Sequence, residues 1–213
     1  VSDEVASCIT LKGITAEYLL HRAYHLKKGD KILYHAAAGA LGQILCPWAN
    51  SIGAEIIGTV GSKEKEEIAK KNGCHHVINY TDKNFVEEVE KINGKNGIDV
   101  VYDGVGLKTF EGSIEVLKIR GMMVAFGNAS GYVDTIDVKK HINAKGLFFT
   151  RPSIAHYTIE REELLESAKK VFDAVLSGKF KIEISKKYSL EEVKQAHEDL
   201  EGRLLTGPAV IKP

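Results

Sequence analysis

The chain of 213 residues is 44% hydrophobic, which is enough for one large domain or for a domain with an appendage. Its 29 Lys and Arg residues balance its 29 Asp and Glu residues, so the composition provides neither the basic field that attracts nucleic acid nor an acidic tail. No apolar run reaches membrane-spanning length, and no signal-peptide pattern opens the sequence. The three cysteines, Cys8, Cys46 and Cys74, are widely spaced and form no CxxC pair, which favours a cytoplasmic location.

The first elements are a helical lead-in over residues 1–27, followed by a strand, a tight turn and a helix over residues 31–48. Gly39 would let the backbone approach an anion closely, and Gly42 would let the helix pack on the strand. The N–H groups at the start of the helix would point at the anion. This arrangement is typical of a dinucleotide pyrophosphate site. Ala37 replaces the first glycine of the usual pattern, and an ordinary glycine-rich turn is the alternative interpretation.

The helix that follows has apolar residues at helical spacing, which predicts a buried face. These residues are Leu41, Ile44, Leu45 and Trp48. Pro47 falls inside the same helix, where it removes a backbone donor at a cost of roughly 3 kcal/mol. A kink or a shortened helix is therefore expected there.

The second strand, at residues 54–60, ends in Gly61 and Ser62, with Lys65 close behind. An enzyme that uses NAD would place Asp or Glu here for the ribose 2′-hydroxyl. A hydroxyl and an ammonium group attract a 2′-phosphate instead, so we expect NADPH with Ser62 and Lys65 at its 2′-phosphate. Two alternatives remain: the charged stretch is only a solvated helix start, or Glu64 takes the ribose.

The rest of the chain alternates strands and helices, which predicts a doubly wound α/β fold. The predicted strands are residues 31–36, 54–60, 75–79, 98–103, 121–126 and 147–150. We expect a six-stranded parallel sheet with flanking helices, the Rossmann fold.

The remaining helix signals are a cap, three apolar stripes and a capping box. Asp82 is expected to cap a helix with the inner residues Phe85, Val89 and Ile92, and Ile114 and Leu117 to face inward on a helix before Gly121. A long amphipathic helix is marked by Leu164, Leu165, Ala168, Val171, Phe172 and Val175. Ser189 and Glu192 form a capping box for the last helix, which Gly202 ends.

No metal site and no catalytic triad are predicted. His75 and His76 are adjacent on a strand, so their side chains would point to opposite faces and make a poor ligand pair. No catalytic side chain is assigned.

Six landmarks in order carry a family resemblance. They are residues 35–39 (HAAAG), 58–62 (GTVGS), 77–80 (VINY), 101–106 (VYDGVG), 126–131 (FGNASG) and 150–153 (TRPS). Together they resemble the zinc-independent NADPH:quinone oxidoreductases of the medium-chain dehydrogenase/reductase superfamily, the zeta-crystallin-like branch. The resemblance implies that hydride passes from NADPH to a quinone or a similar electron-poor acceptor.

The resemblance also implies a domain division, because family members have a GroES-like N-terminal catalytic domain that is mostly missing from this sequence. Residues 1–27 would connect from that domain, residues 28–180 would bind NADPH, and residues 181–213 would return towards the catalytic domain. By the same resemblance, two coenzyme domains would pair as a homodimer through the apolar edge strand at residues 147–150.

The site residues implied by the resemblance follow the cofactor from end to end. The pyrophosphate would meet Ala40 and Leu41 beside Gly39, and the adenosine phosphate end would meet Gly61, Ser62, Lys65, Tyr80 and Arg203. Along the cofactor would lie Val105, Phe126, Gly127, Asn128, Ala129 and Ser130, with Phe148, Phe149, Thr150 and Arg151 near the nicotinamide.

Each of these positions also has a purely structural interpretation. Tyr80 could be an ordinary strand-end aromatic, and Arg203 a solvated cation at a helix end. Asp103 could shape its loop through backbone hydrogen bonds, and Gly127 could serve a tight turn.

Three other functions remain open. A zinc-type alcohol dehydrogenase or an enoyl reductase of the same superfamily is the first alternative. A nucleotide- or RNA-binding crystallin-like protein without turnover is the second, although the balanced charge argues against strong binding to nucleic acid. A methyltransferase is the third, and it would be expected to place an acid at the tip of the second strand. The expected partner is a quinone-like small molecule, with no nucleic acid and no membrane.

Overall fold

The computed structural model describes residues 1–202, 204–205 and 207–213. Six strands form one parallel sheet in the order β3-β2-β1-β4-β5-β6. These strands are β1 (Lys31–His35), β2 (Glu55–Val60), β3 (His76–Asn79), β4 (Ile98–Asp103), β5 (Leu117–Ala125) and β6 (Phe148–Thr150). The predicted doubly wound sheet is confirmed, and all six strands overlap their predicted ranges, although β5 begins at Leu117 rather than at residue 121.

Seven α-helices accompany the strands in the described part of the chain. They are α1 (Asp3–Tyr18), α2 (Gly42–Ile52), α3 (Lys63–Lys71), α4 (Phe85–Asn93), α5 (Phe110–Val116), α6 (Arg161–Leu176) and α7 (Val193–Glu201). Shorter helical turns lie at Leu19–Ala23, Val138–Asn143, Ile154–Tyr157 and Leu190–Glu192.

The sheet is covered on both faces, which explains why its strands are continuous apolar runs. Ile32 and Tyr34 of β1 face a core shared with α1, α2 and α6. Leu33 faces the opposite core with α4 and α5, because successive strand residues alternate between faces. Trp48 and Val171 are among the side chains that fill the first core, and Val89 and Phe110 lie in the second.

Helix α2 passes through Pro47 and ends only at Ile52, so the shortened helix is not observed. Its predicted inner face is confirmed, since Ile44, Leu45 and Trp48 are buried. Gly53 follows in a left-handed conformation, with φ of 95°, and its N–H bonds back to the helix.

Two expectations about the middle helices were wrong. The cap of α4 is Asn84, whose side chain accepts from Val86 N, because Asp82 is instead bonded to Asn79 and Thr81. Leu117 is buried, but it begins β5 rather than ending a helix, and the chain turns inward directly after α5.

The amphipathic pattern of α6 only partly matches its burial. Val171 is buried, whereas Leu164 and Leu165 at the start of the helix are exposed. The apolar pattern of α6 therefore includes residues in its first turns that no other element buries.

The C-terminal segment forms a second, two-stranded parallel sheet of β7 (Lys186–Ser189) and β8 (Ala209–Lys212). The capping box of Ser189 and Glu192 is present as predicted, and Gly202 caps α7. Lys187 and Lys212 of this sheet form ion pairs with Glu4 of α1, at 2.7 and 2.5 Å.

None of the helices in the described ranges has the length and apolar character needed to cross a membrane.

Candidate functional site

The carboxyl ends of the six parallel strands lie along one edge of the sheet. The strand order reverses between β1 and β4, and such a reversal opens a crevice at this edge. The segments that follow five of the strands carry most of the predicted site residues. They begin at Ala36 after β1, Gly61 after β2, Tyr80 after β3, Gly104 after β4 and Phe126 after β5. The fold therefore brings together residues that are far apart in sequence.

The turn after β1 is held in a conformation that small residues permit. Ala36 has φ of 62°, a left-handed value that is uncommon outside glycine, and its carbonyl accepts from Gly39 N at 2.9 Å. A Cβ on Gly42 would lie 2.3 Å from the carbonyl oxygen of Ala37. Only glycine fits there, which supports the predicted role of Gly42 in packing the helix on the turn.

The tip of β2 is in contact with the tip of β3. A Cβ on Gly61 would lie 2.6 Å from the phenol oxygen of Tyr80. Tyr80 itself is half exposed, and its N–H donates to Val60 O at 3.1 Å. The absence of a side chain at position 61 therefore allows the phenol to lie over the end of β2.

Ser62 and Lys65 flank the start of α3 beside this pair. Ser62 is the residue that precedes the helix, and Lys65 is exposed in its first turn. Hydrogen bonds from its own backbone N–H and from the Ser62 hydroxyl hold the pKa of Glu64 below its usual range. Glu64 thus engages the Ser62 hydroxyl, and the alternative that Glu64 takes the ribose stays a prediction. Arg203, the other predicted phosphate contact, lies outside the described residues.

The segments after β4 and β5 are joined into one wall. Phe126 N and Gly127 N donate to the carbonyl of Asp103 at 2.9 and 3.3 Å, and Ser130 donates to Val105 O through both N and Oγ at 2.8 Å. A Cβ on Gly127 would lie 2.5 Å from Gly104 O. The close approach of the two segments therefore requires glycine at this position.

A cleft of about 490 Å³ opens beside Phe126 and is lined in part by Tyr18, Arg151 and Ser153. The Phe126 ring is stacked on Tyr34, with centroids 6.2 Å apart. Arg151 donates to Ala125 O at 3.0 Å and to the Asn128 side chain at 3.2 Å, which ties the segment after β6 to the segment after β5.

Tyr18 is a further residue of this cleft, and it belongs to the helical lead-in of residues 1–27. Its ring is stacked on Tyr157, with centroids 4.5 Å apart. Burial raises its pKa to about 12, so its phenol stays protonated at neutral pH.

The three predicted contacts on β6 do not all reach this edge. Thr150 pairs with Val124 near the carboxyl end, whereas Phe148 pairs with Met122 two residues further down the sheet. Phe148 is 57% exposed on the outer strand, and Phe149 packs edge-on against Phe110 with centroids 6.3 Å apart. The coenzyme contacts at Phe148 and Phe149 stay predictions.

A buried polar chain runs beneath the edge, and sequence reasoning missed it. His35, at the end of β1, contacts Thr59 Oγ1 at 2.9 Å and Ser113 Oγ at 3.0 Å. Ser113 is in turn 3.1 Å from the Asp103 carboxylate. The one feature of the sequence that could have indicated this series of hydrogen bonds is His35 itself, a histidine at the end of a buried strand.

Among the residues that the structure describes, no group of three His, Cys, Asp or Glu side chains is placed to hold a metal ion. The His75 side chain is hydrogen-bonded to the backbone, since its Nδ1 accepts from Ile56 N at 3.1 Å.

A family model for zinc-binding dehydrogenases matches residues 40–177, which is most of the sheet and its helices. The chain belongs to the zinc-binding dehydrogenase family. The matched region includes the tips of β2 to β6 and the start of α2, so the dehydrogenase match and the carboxyl-edge crevice coincide.

The relatives of this chain confirm the resemblance drawn from the motifs. The chain is 46% identical over 206 residues to the 2-haloacrylate reductase of a Burkholderia species, covering 96% of this chain and 62% of that protein. It is 42% identical over 216 residues to quinone oxidoreductase 1 of Escherichia coli K12, covering all of this chain and 66% of that protein. The crystal structure of Escherichia coli quinone oxidoreductase complexed with NADPH matches with a TM-score of 0.93 at 42% identity, again over the whole chain and 66% of the other.

The chain thus spans slightly less than two thirds of the length of these relatives. The structural match covers every described strand of this chain. The Rossmann fold is common to this chain and the NADPH-bound structure.

Proposed function

We propose that this chain is the coenzyme-binding part of an NADPH-dependent oxidoreductase that transfers hydride to a quinone or a similar electron-poor acceptor. The observation that supports the proposal best is the tip of β2, where a glycine, Gly61, stands in place of an acid and is in contact with Tyr80, and where Ser62 and Lys65 follow at the start of α3. The NADPH-bound relative of the same fold supports the same cofactor.

The residues present fit such a cofactor. The glycines at positions 42 and 61 allow the start of α2 to pack on the turn after β1 and the Tyr80 phenol to lie over the end of β2. The start of α2 would hold the pyrophosphate next to Gly39, Ala40 and Leu41, because backbone N–H groups at a helix start attract anions. Lys65, Ser62, Tyr80 and Arg203 would hold the 2′-phosphate.

When bound, NADPH would supply the hydride, so the protein needs no covalent nucleophile. The wall of residues 103–106 and 126–130 would fix the position of the cofactor along the crevice. Phe126, stacked on Tyr34, would exclude water from one side of the cleft, and Arg151 holds the two segments next to it in register.

We also propose the division of the chain implied by the resemblance, with residues 28–180 as the coenzyme unit. Residues 1–27 and 181–213 would then join it to the catalytic domain. The ion pairs of Glu4 with Lys187 and Lys212 support this grouping, because they connect the two end segments to each other. Free thiols at Cys8, Cys46 and Cys74 support a cytoplasmic location.

The first experiment is a calorimetric titration of this chain with NADPH and, separately, with NADH. We expect clear preference for NADPH, and we expect Lys65→Glu to weaken NADPH binding by roughly tenfold or more, because it replaces a cation at the 2′-phosphate by an anion. Lys95→Glu is the matched control, since it makes the same charge change on the loop before β4, at the opposite edge of the sheet. Equal or tighter NADH binding would contradict the proposal.

A second candidate reaction is reduction of the carbon–carbon double bond of an unsaturated acid. It is favoured by the 46% identity to a 2-haloacrylate reductase and by the Arg151 guanidinium in the cleft. Oxidation of NADPH by the full-length protein with a quinone and with 2-chloroacrylate, compared side by side, separates the two acceptors.

A further inference from the structure

A continuous chain of buried hydrogen bonds crosses the sheet from β2 to the tip of β4. It runs from Thr59 through His35 and Ser113 to Asp103, and each of these four side chains is buried. The second oxygen of Asp103 accepts from Val105 N at 2.8 Å and Gly106 N at 2.9 Å. This series of hydrogen bonds therefore ends at the turn that contains Val105 and Gly106.

The positions of the protons in this chain follow from its chemistry. As a carboxylate, Asp103 can only accept, so the Ser113 hydroxyl must donate to it. The Ser113 oxygen is then free to accept from Nε2–H of His35, and Nδ1 of His35 accepts from the Thr59 hydroxyl. A neutral His35 with its proton on Nε2 satisfies every group in this series of hydrogen bonds.

The surroundings of His35 favour this neutral form. Burial lowers the pKa of His35, with the charge of Asp103 acting in the opposite direction. Thr59 of β2, Ser113 of α5 and Phe85 of α4 contact the ring, and Phe85 lies edge-on with centroids 5.1 Å apart. Asp103 is the charged group that faces the ring, through Ser113.

Asp103 depends on its donors because it is fully buried. Its four partners are the two N–H groups of the turn, the Ser113 hydroxyl and the Thr109 hydroxyl, which lies 2.7 Å away. Loss of one donor leaves a buried charge less well paired, and the remaining donors must move to compensate. Three donors remain without Ser113, and two of them are the backbone N–H groups of Val105 and Gly106.

We propose that His35 is a positioning residue of the coenzyme site, which acts through Ser113 and Asp103 to fix the turn at Val105 and Gly106. The claim that His35 fixes the turn rests on the hydrogen bonds alone. The claim that this turn matters for coenzyme binding rests on the proposed NADPH function. His35 is 1% exposed, so it lies beneath the surface of the crevice and would act only through its hydrogen-bond partners.

The structural part is tested without coenzyme, by amide hydrogen exchange at Val105 and Gly106. We expect Ser113→Ala to accelerate exchange at both amides by at least about tenfold, because a hydrogen bond to a buried charge is lost. The matched control is Ser167→Ala, which removes a buried serine donating to the buried Glu17 carboxylate at 2.7 Å on the other face of the sheet. This control should leave both amides within about twofold of wild type. Unchanged exchange in Ser113→Ala would overturn the proposal.

The role of His35 is tested by coupling and by rescue. In the wild-type chain, His35→Leu should accelerate exchange at both amides, whereas in the Ser113→Ala background it should add less than about twofold, because the link is already broken. His35→Gln keeps a donor near the position of Nε2 and should restore most of the protection. Fully additive effects, or no rescue by Gln in a chain that folds, would show that His35 acts only by filling space.

The consequence for the site is tested by NADPH titration of the same variants. Ser113→Ala and His35→Leu should each weaken NADPH binding by roughly tenfold, and Ser167→Ala should not. If the wild-type chain binds no NADPH, the proposed function fails while the exchange result still decides the positioning role. If exchange changes but NADPH affinity does not, the link from this turn to the coenzyme is wrong.

Discussion

At the scale of single residues, the site depends on two glycines whose missing side chains allow close contacts. Gly61 has no side chain, and the Tyr80 phenol occupies the space where a Cβ would lie, at 2.6 Å. Position 42 requires glycine for the same reason, because a Cβ there would lie 2.3 Å from the carbonyl oxygen of Ala37. The first of these contacts has a consequence for coenzyme choice, because an acidic residue at position 61 would displace Tyr80 as well as repel a 2′-phosphate.

We therefore predict that Gly61→Ala weakens NADPH binding by roughly tenfold, since the new methyl group pushes the phenol away from the phosphate. In a Tyr80→Ala background the same change should alter NADPH affinity by less than about twofold, because the clash is gone. Titration of the wild type, the two single variants and the double variant measures this coupling. Independent effects of the two changes would contradict the contact as the cause.

At the scale of elements, side chains join segments whose backbone pairing is short. The β7–β8 sheet has only four paired positions, and Asp199 of α7 ties the helix to it. Asp199 accepts from Lys186 Nζ, Tyr188 Oη and Gln195 Nε2 at 2.6 to 2.8 Å. These hydrogen bonds, from Lys186 foremost, lower the pKa of Asp199 to about 2 from an ordinary value of 3.8.

This shift predicts a defined pH dependence of unfolding. The native state binds its proton less tightly than the unfolded state, so the stabilisation by Asp199 is fully present above about pH 3.8 and is lost as the pH falls through 2. Urea unfolding between pH 2 and 6 should therefore show Asp199→Asn less stable than wild type at pH 6, with the difference closing towards pH 2. The exposed Asp134→Asn is the control and should follow the wild-type curve. A constant difference across this range would contradict the assignment.

At the scale of the whole molecule, the sheet has two edges and one of them is apolar. Strand β6 is the outer strand beside β5, and it presents Phe148 with 57% of its surface exposed. An outer strand with unpaired backbone groups and an exposed aromatic ring can pair with another chain. We propose that two copies of this chain pair along β6 as a homodimer.

We predict that the wild-type chain sediments as a dimer at micromolar concentration and that Phe148→Asp converts it to a monomer, because a charge at the centre of the pairing would be buried. Leu165→Asp places the same charge at an exposed leucine on α6 and should leave the dimer intact. A wild-type monomer, unaffected by the charge at Phe148, would rule out pairing through this edge.

The sequence by itself determined the order of the elements, the parallel sheet and the turns at its carboxyl edge. These features follow from local patterns: apolar runs of strand length, helical periodicity, and glycines at strand ends such as Gly61 and Gly127. The same patterns carried the family resemblance, because its landmarks are the strand tips themselves. Most of the predicted site residues accordingly lie along one edge.

Only the tertiary structure decided how these tips contact one another. His35 and Ser113 are 78 residues apart, and nothing in either local pattern indicates that they share a hydrogen bond. The sequence also did not decide which residue caps α4, because both Asp82 and Asn84 are good N-cap residues. In the structure Asp82 is hydrogen-bonded to Asn79 and Thr81, and Asn84 caps the helix. Periodicity indicates which face of an element is buried, although not how far along it, as the exposed Leu164 and Leu165 of α6 show. The choice of hydrogen-bond partners depends on distances that exist only after the chain has folded.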